Sequence, residues 1–461
     1  MMKSQVRSQK GTVRMTEGSL WKNILIFSLP LMLSQILQVL FNMADVAVVG
    51  KFASSNAMGA VGSTTILVSL FTGFLIGMGS GVNVRIAQLL GAQRKEDTEK
   101  SVHTSLLLCL FSGIIISVLC FFSAEWMLSL IRTRSDLMKG AVLYFRIYAL
   151  GMPAMGIFNF GNGVMSANGD TRRPLMYLLT AGILNVVMNL FFVIVCHMAE
   201  DGVALSSVIS QYITAGLILI RLFRDKSECG LRFRMIRLWR GCSAPLLMLG
   251  IPAGIQNGIF AVANLFIQRA VNYFDTVMVN GNSAASNADT LIYNLMAAFY
   301  TACSTFMGQN LGAGKHDRVM KSYFVSLAYS FASAALVGTL LHFFGREFLL
   351  LFTNEQAVVD AGMQKINIMW WSYAISAFMD CTIAASRGIG KSLVPTVIVI
   401  LGSCVFRVTW VYTIFEHFHT IPSLYLLYVC SWTLTAIAEI AYFAVSARKL
   451  RQRQSAGPEI A

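Results

Sequence analysis

The chain alternates long apolar stretches with short polar ones along its whole length. Apolar runs near the length that a helix needs to cross the hydrocarbon of a bilayer, about 20 residues, recur twelve times. They lie at roughly 24–49, 57–82, 104–123, 141–166, 174–197, 202–223, 243–270, 284–307, 320–344, 366–386, 393–415 and 421–446. The pattern predicts an all-α polytopic membrane protein with twelve transmembrane spans and no sizeable soluble domain.

The first of these runs carries polar residues at a helical spacing. Gln35, Gln38, Asn42 and Asp45 are separated by three, four and three positions. At 100° per residue their side chains fall within about 80° of arc and form one polar stripe. Because a polar stripe is costly in lipid, we expect it to face a partner helix or a wet cavity.

The composition agrees with a membrane protein and explains the basic charge. Only 13% of the 461 residues are charged, against about 25% in soluble domains. With twelve spans, 27 of the 36 Lys and Arg fall on the side of both termini, including Lys3, Arg7 and Lys10 of the N-terminal arm. This is the positive-inside bias, so we expect both termini in the cytoplasm. The net charge of +14 therefore reflects topology and not a nucleic-acid partner.

The two halves of the chain repeat one plan. The segment "QLLGAQRKEDTEKS" (88–101) matches "QNLGAGKHDRVMKS" (309–322) at an offset of 221. Pro174 and Pro395 repeat at the same offset, after spans 4 and 10. Parallel repeats of this kind occur in transporters that rock two lobes about a central site.

This repeat predicts two six-helix bundles of like topology. We place the N-terminal lobe at 1–223 and the C-terminal lobe, with its short basic tail, at 242–461. The basic segment 224–241 is expected to be a cytoplasmic linker with an amphipathic piece.

Polar residues inside the N-terminal spans are candidates for an ion site. An ionised side chain at mid-bilayer costs about 2.5–3.5 kcal/mol, so each one is a functional hypothesis. Carboxylate, amide and hydroxyl oxygens suit a hard monovalent cation or a proton relay. The candidates for ion coupling are Asp45, Asn185, Asn189 and Ser207, and those for a substrate cavity in this lobe are Gln38, Asn42 and Gln211. Interhelical hydrogen bonding remains the alternative for Asn185 and Asn189.

The C-terminal half differs at the corresponding positions. The repeat of Asp45 falls on Ile267, and an acid appears instead at Asp380 in span 10. Asp380 could pair with Arg407 in span 11, and Glu439 in span 12 could be another partner. The cavity candidates of this half are Asn257, Asn264, Gln268 and Asp380.

Signals for catalysis or nucleotide binding are weak. "GIGKS" (388–392) lacks the first glycine of a phosphate-binding loop, because position 385 is Ala385. None of the six His lies in an H-x-x-x-H or H-E-x-x-H pattern, and the nine Cys form no C-x-x-C pair. We expect no enzyme, no metal, no nucleotide and no cofactor beyond a transported H⁺ or Na⁺.

Several motifs together resemble one transporter family. "NMADVAVVGKF" (42–52) ends span 1, "GVALSSVISQY" (202–212) opens span 6, "GQNLGAG" (308–314) follows span 8 and "SRGIGKSLVP" (386–395) follows span 10. With the twelve spans in two parallel halves, the chain resembles the multidrug and toxic compound extrusion (MATE) family over nearly its whole length. The resemblance implies a V-shaped pair of bundles around a central cavity in a bacterial inner membrane.

The resemblance also implies an activity and assigns residues to it. The expected activity is secondary active antiport, in which small amphipathic organic cations are exported in exchange for H⁺ or Na⁺ by a monomer in the lipid bilayer. Asp45 matches the family's span-1 acid and Asn185 its span-5 asparagine, while Asn189 falls where many members have Asp. Ser207 falls where many have Thr, and Phe260 stands where Na⁺-binding members have a span-7 acid. The resemblance therefore favours coupling through Asp45 and argues against a cation site in the C-terminal lobe.

Two alternatives remain open. A flippase for lipid-linked oligosaccharide would need several Arg or Lys in the cavity, and Arg407 is nearly alone within the predicted spans. A polytopic membrane enzyme would need a nucleophile–base pair or a metal constellation, which the sequence does not display.

Overall fold

The computed structural model describes residues 12–53 and 55–455, which form twelve helical spans. In the N-terminal lobe, span 1 is Leu20–Phe52, span 2 Ser55–Gly91, span 3 Lys95–Leu130, span 4 Ser135–Ala149 with Met152–Ala167, span 5 Arg172–Leu190 with Phe191–Val195, and span 6 Glu200–Phe223. In the C-terminal lobe, span 7 is Ser243–Val271, span 8 Thr276–Gly312, span 9 His316–Leu350, span 10 Gln356–Met369 with Ser372–Gly388, span 11 Leu393–Phe418 and span 12 Ile421–Ser455. The arm residues Lys3, Arg7 and Lys10 lie outside the described residues.

The all-helical prediction is confirmed, and the helices are longer than the apolar runs that predicted them. Span 3 was expected at 104–123 and runs over the 36 residues Lys95–Leu130. At 1.5 Å per residue this helix is about 54 Å long, whereas the hydrocarbon is about 30 Å thick. Hydropathy marks only the part of a helix that lipid covers.

Two of the twelve spans are more polar than the rest. In the described part of the chain, nine helices are long and apolar enough to cross a membrane, and the bent pair of span 4 makes a tenth. The halves of span 4 meet at 45°, next to Pro153. Spans 8 and 10 do not meet the same test, and they carry Asp289 and Lys365, which pair with each other inside the lobe.

The two lobes contact each other toward the end of the bundle that carries both termini, which we call the termini end. Span 2 packs against span 7, where Gly77 approaches the backbone of Gly254 and Gly81 that of Gly250. An apolar cluster adds Phe27 of span 1, whose ring lies 5.5 Å from that of Phe306 in span 8.

Among the described residues, the hydrogen bonds and close glycine contacts between the lobes extend from the termini end to about the middle of span 2, where Leu70 lies against Gly258. The lobes therefore form a V that opens at the opposite end, which we call the far end.

The linker 224–241 packs on the termini end of span 3. The backbone N–H of Arg232 donates to His103 Nε2 at 2.8 Å, and that of Trp239 donates to Thr104 Oγ1 at 3.2 Å. Its helical content is a single short turn, Phe233–Met235, so the amphipathic piece is not a regular helix.

Candidate functional site

All four residues predicted for ion coupling lie together in the N-terminal lobe. Asn189 Nδ2 donates to Asp45 Oδ1 at 2.5 Å, and Ser207 Oγ donates to Asp45 Oδ2 at 3.3 Å. Asn185 closes the ring, because its Nδ2 lies 3.4 Å from Ser207 Oγ and its Oδ1 lies 3.3 Å from Asn189 Nδ2. The residues come from spans 1, 5 and 6, and the spacing of four between Asn185 and Asn189 places both on one face of span 5.

The charge of Asp45 has no fixed partner. No Lys, Arg or His of the described residues lies within 4.0 Å of its carboxylate, which neutral donors alone hold. Asn189 is fully buried, and its amide oxygen has no hydrogen-bond donor among the described residues. A carboxylate beside an unpaired amide oxygen is a ligand set that suits a monovalent cation or a proton.

An apolar cluster separates this site from the far end. Span 1 continues two turns beyond Asp45, and there Val48 and Val49 pack with Tyr144 of span 4 and Val203 of span 6. The aromatic ring of Tyr144 stacks on that of Tyr148 at 5.9 Å. The carboxylate is thereby partly buried inside the lobe.

The N-terminal cavity candidates flank the site. Gln38 is half-buried and Asn42 is exposed, one turn before Asp45 on the same face of span 1. Gln211 lies one turn after Ser207 and approaches Gly151 at the bend of span 4. Its buried Oε1 has no hydrogen-bond partner among the described residues.

The span-7 candidates do not share one environment. Asn257 Nδ2 donates to the carbonyl oxygen of Gly73 at 3.1 Å, so this side chain joins the lobes. Asn264 is exposed, and Gln268 donates to Asn272 Oδ1 on its own helix end at 2.9 Å.

Asp380 and Arg407 do not form a direct ion pair. No nitrogen of Arg407 lies within 4.0 Å of an oxygen of Asp380, although their charges interact. Arg407 instead donates from Nε to Ser431 Oγ at 3.0 Å, and its guanidinium lies 4.7 Å from the centre of the Tyr428 ring. Phe260, at the position of the family's span-7 acid, provides a second ring at 5.9 Å. Aromatic faces thus take the place of a carboxylate beside this arginine.

Arg387 and Glu439 add further charge near Asp380. Arg387 Nη2 donates to Gln256 Oε1 at 2.7 Å and interacts electrostatically with both acids. Glu439 is fully buried, and neither carboxyl oxygen has a hydrogen-bond partner among the described residues.

The C-terminal lobe contains an ion pair that was not predicted from the sequence. Lys365 Nζ lies 2.7 Å from Asp289 Oδ2 and also donates to Ser286 Oγ at 2.9 Å. The hydroxyl of Tyr373 donates to the other oxygen of Asp289. Asp289 falls inside the predicted span 284–307, where the rule on intramembrane acids applies, and Lys365 falls one residue before the predicted span 366–386.

The repeat also brings its two copies together at the termini end. Gln88 Nε2 donates to the carbonyl oxygen of Gly388 at 3.0 Å, and Gln309 Nε2 donates to that of Ala167 at 2.6 Å. Gln88 and Gln309 are equivalent at the offset of 221, and so are Ala167 and Gly388. The two hydrogen bonds are therefore one contact made twice about the pseudo-two-fold axis, and we call them the reciprocal glutamine contacts.

Two glycines make this approach possible. A Cβ atom on Gly91 would lie 2.0 Å from the carbonyl oxygen of Gln309, and one on Gly312 would lie 2.0 Å from that of Gln88. The equivalent turns that follow spans 4 and 10 contain Gly169 and Gly390, with φ of +84° and +87°. These positions explain why the glycines of the repeated motifs are kept in both halves.

Two helical lobes of one plan, joined at one end and open at the other around buried polar groups, define a polytopic membrane protein of the transporter class. The sequence profile of the MatE family matches residues 30–191 and 252–413, one segment in each lobe. The chain belongs to the MatE family, whose members are transporters and not enzymes.

Curated relatives agree with this family. "Probable multidrug resistance protein YpnP" of Bacillus subtilis is 27% identical over 360 residues, covering 78% of this chain and 80% of that protein. "Probable multidrug resistance protein NorM" of Thermotoga maritima is 22% identical over 86% of each chain. A protein of Shewanella oneidensis named "FAD transporter" is 23% identical over 73% of this chain and 75% of its own length.

Solved structures share the fold. A MOP superfamily transporter from Pyrococcus furiosus superposes with a TM-score of 0.89 at 21% identity, covering 96% of this chain and 99% of that one. A multidrug resistance MATE family transporter in an outward-facing conformation gives a TM-score of 0.88 at 21% identity, with the same coverage.

Proposed function

We propose that this chain is a secondary active antiporter that exports small amphipathic organic cations in exchange for H⁺ or Na⁺ by alternating access. The observation that carries the proposal is the Asp45 site, in which a partly buried carboxylate is held only by neutral donors. Its charge must be balanced by something that is not part of the protein. An exchangeable cation or a proton meets this requirement, and the names of the multidrug relatives support the class of cargo.

The positive-inside bias supports an orientation for the transport cycle. If the termini end faces the cytoplasm, the V opens to the outside and the lobes are closed toward the cytoplasm, in a bacterial inner membrane. An external ion then reaches Asp45 in this state and displaces the cargo outward. When the lobes rock, the ion leaves Asp45 on the cytoplasmic side and new cargo binds.

The energy comes from the ion gradient. Exchange of one monovalent cation for a monovalent cargo moves no net charge, so the ion's concentration ratio limits that of the cargo. A tenfold ion gradient supplies about 1.4 kcal/mol and supports about a tenfold cargo gradient.

Transport by everted membrane vesicles tests this proposal. Ethidium accumulation is measured under an imposed pH gradient and, separately, under an imposed Na⁺ gradient. We expect one of the gradients to drive accumulation in the wild type and Asp45→Asn to abolish the driven component. Ser206→Ala is the matched control, because among the described residues the Ser206 hydroxyl bonds only within its own helix, to the Gly202 carbonyl at 2.9 Å. Undiminished ion-driven accumulation by Asp45→Asn would refute the role of Asp45.

A second candidate is transport of an anionic aromatic cargo, including a lipid-linked one. Arg407 is 3% exposed, its Nη2 has no hydrogen-bond partner among the described residues, and aromatic rings surround it. The relative named as an FAD transporter is compatible with this candidate. Rhodamine B carries a free carboxylate that its ethyl ester lacks, so preference for the ester supports the cation exporter and preference for the free acid supports the second candidate.

A further inference from the structure

The acid–ammonium pair of the C-terminal lobe lies in a pocket of polar side chains. Lys365 is almost fully buried, with 3% of its side chain exposed, while 31% of the Asp289 side chain is exposed. The ammonium group contacts Asp289 and Ser286 and lies 5.7 Å from the ring of Tyr425. The hydroxyl of Tyr425 in turn donates to Asn282 Oδ1 at 3.0 Å.

The internal repeat relates this pocket to the Asp45 site. Lys365 is equivalent to Tyr144 at the offset of 221, and each is the tenth residue of the first helix of its bent span, in Gln356–Met369 and Ser135–Ala149 respectively. Tyr144 packs beside the Asp45 site, so the same position of the plan lies next to an acid in both lobes. The N-terminal lobe supplies a neutral phenol there and the C-terminal lobe supplies a cation.

The consequence is a difference in how the two acids are neutralised. In the part of the chain that the structure describes, the carboxylate of Asp45 has only amide and hydroxyl donors, whereas that of Asp289 has the ammonium group of Lys365. A buried acid without a cation partner strongly favours binding of a cation or a proton, and one with such a partner does not.

We propose that Lys365 is a resident cation that permanently fills a monovalent-cation site made by Asp289, Ser286 and Tyr373. The antiporter then exchanges its ion in the N-terminal lobe alone, and removal of the lysine opens a second cation site in the C-terminal lobe. The inference rests on the proposed antiport only for its consequence in transport. The occupancy of the pocket is tested by binding.

The binding test uses purified protein in detergent and an Asp45→Asn background, which removes the site of the N-terminal lobe. The unfolding midpoint is compared in NaCl and in choline chloride at equal ionic strength, and at a pH below and a pH above neutral. The other titratable groups facing Asp289 are Tyr373 of span 10 and Tyr425 and Tyr428 of span 12.

We expect Asp45→Asn alone to show no response to Na⁺ or pH that Asp289→Asn removes. When Lys365→Met is added to Asp45→Asn, the unfolding midpoint should be about 2 °C higher in NaCl than in choline chloride, or at the lower pH than at the higher pH. The reason is that a ligand that binds only the folded state stabilises it. Further addition of Asp289→Asn should remove this response, and Lys365→Arg, which keeps a tethered cation, should not produce it. If Lys365→Met does not fold, Lys365→Gln is tested in the same way.

Two results would overturn the proposal. One is the absence of any cation or proton response after the lysine is removed from folded protein. The other is a response of the Asp45→Asn protein, with Lys365 present, that Asp289→Asn abolishes. Neither result depends on whether the wild type performs antiport, so failure of this inference is distinguishable from failure of the proposed function.

Discussion

Closure of the termini end depends on the absence of a side chain at Gly91, and Gly91→Ala tests this directly. The added Cβ would lie 2.0 Å from the Gln309 carbonyl oxygen, 2.8 Å from its carbon and 3.0 Å from the Gln309 Cα. All three atoms belong to the backbone of span 8, so no side-chain rotation can make room. The two helix ends must separate by about 1 Å to restore an ordinary contact.

The expected cost has two parts. Overpacking of a close contact costs about 1–3 kcal/mol. Separation of the helix ends also weakens the reciprocal glutamine contacts, each worth about 1 kcal/mol. A total of about 2–4 kcal/mol would shift the equilibrium between a closed and an open termini end toward the open form by roughly 30- to 1,000-fold.

Hydrogen–deuterium exchange measures this shift. We expect faster exchange in Gly91→Ala for the amides of 85–95 and 306–316, and a lower rate of ion-driven dye transport. Gly62→Ala is the control on the same helix, because a Cβ there meets no atom within 4 Å. If the amides of Gly91→Ala exchange at the same rate as those of Gly62→Ala, this contact does not hold the termini end closed.

Two further predictions concern the ion site and the N-terminal arm. If Na⁺ is the coupling ion, Asn189→Ala removes an amide oxygen that has no hydrogen-bond donor among the described residues and can bind the cation, so it should weaken apparent Na⁺ affinity more than Ser207→Ala, which removes a hydroxyl that donates to Asp45 and should cost about tenfold or less. Na⁺ titrations of dye transport check the order, and equal effects would contradict it. Arg318→Gln removes guanidinium donors to the carbonyl oxygens of Met15, Glu17 and Gly18, so it should speed tryptic cleavage at Arg14. Lys321→Gln, which changes an exposed residue nearby, should not change the cleavage rate. Unchanged cleavage of Arg318→Gln would show that Arg318 does not fix the N-terminal arm against the C-terminal lobe.

The fold was predictable because its determinants are local. A run of apolar residues specifies a span, and the repeated motifs specify that six spans recur in the same order. The grouping of the four residues of the proposed ion site was also predictable, since helical spacing places Asn185 and Asn189 on one face and the resemblance joins them to Asp45 and Ser207. Contacts between spans are not local, and the sequence alone did not reveal that Asn257 joins the lobes at Gly73.

The pairing of charges was harder to predict than their presence. Asp380 and Arg407 are the obvious opposite charges of spans 10 and 11, yet Arg407 bonds to Ser431 and faces aromatic rings. Lys365 was not predicted as a site residue because it lies just outside an apolar run. A buried lysine lowers the local hydropathy, so the predicted apolar run stops short of it even when the helix continues.

The internal repeat constrains the contacts at the termini end more strongly than the surroundings of Asp45 and Asp289. At the termini end, the reciprocal contacts cross the pseudo-two-fold axis, so a change in one copy, such as a side chain at Gly91, disturbs the partner that the other copy must meet. At the proposed Asp45 site and the Asp289 pocket, each lobe surrounds its own acid and no contact links Asp45 to Asp289 among the described residues. One lobe was therefore free to acquire a lysine without loss of closure. If the proposed antiport exchanges one ion in each cycle, this difference favours it, because a second site with its own affinity would add an ion that the cargo must also displace.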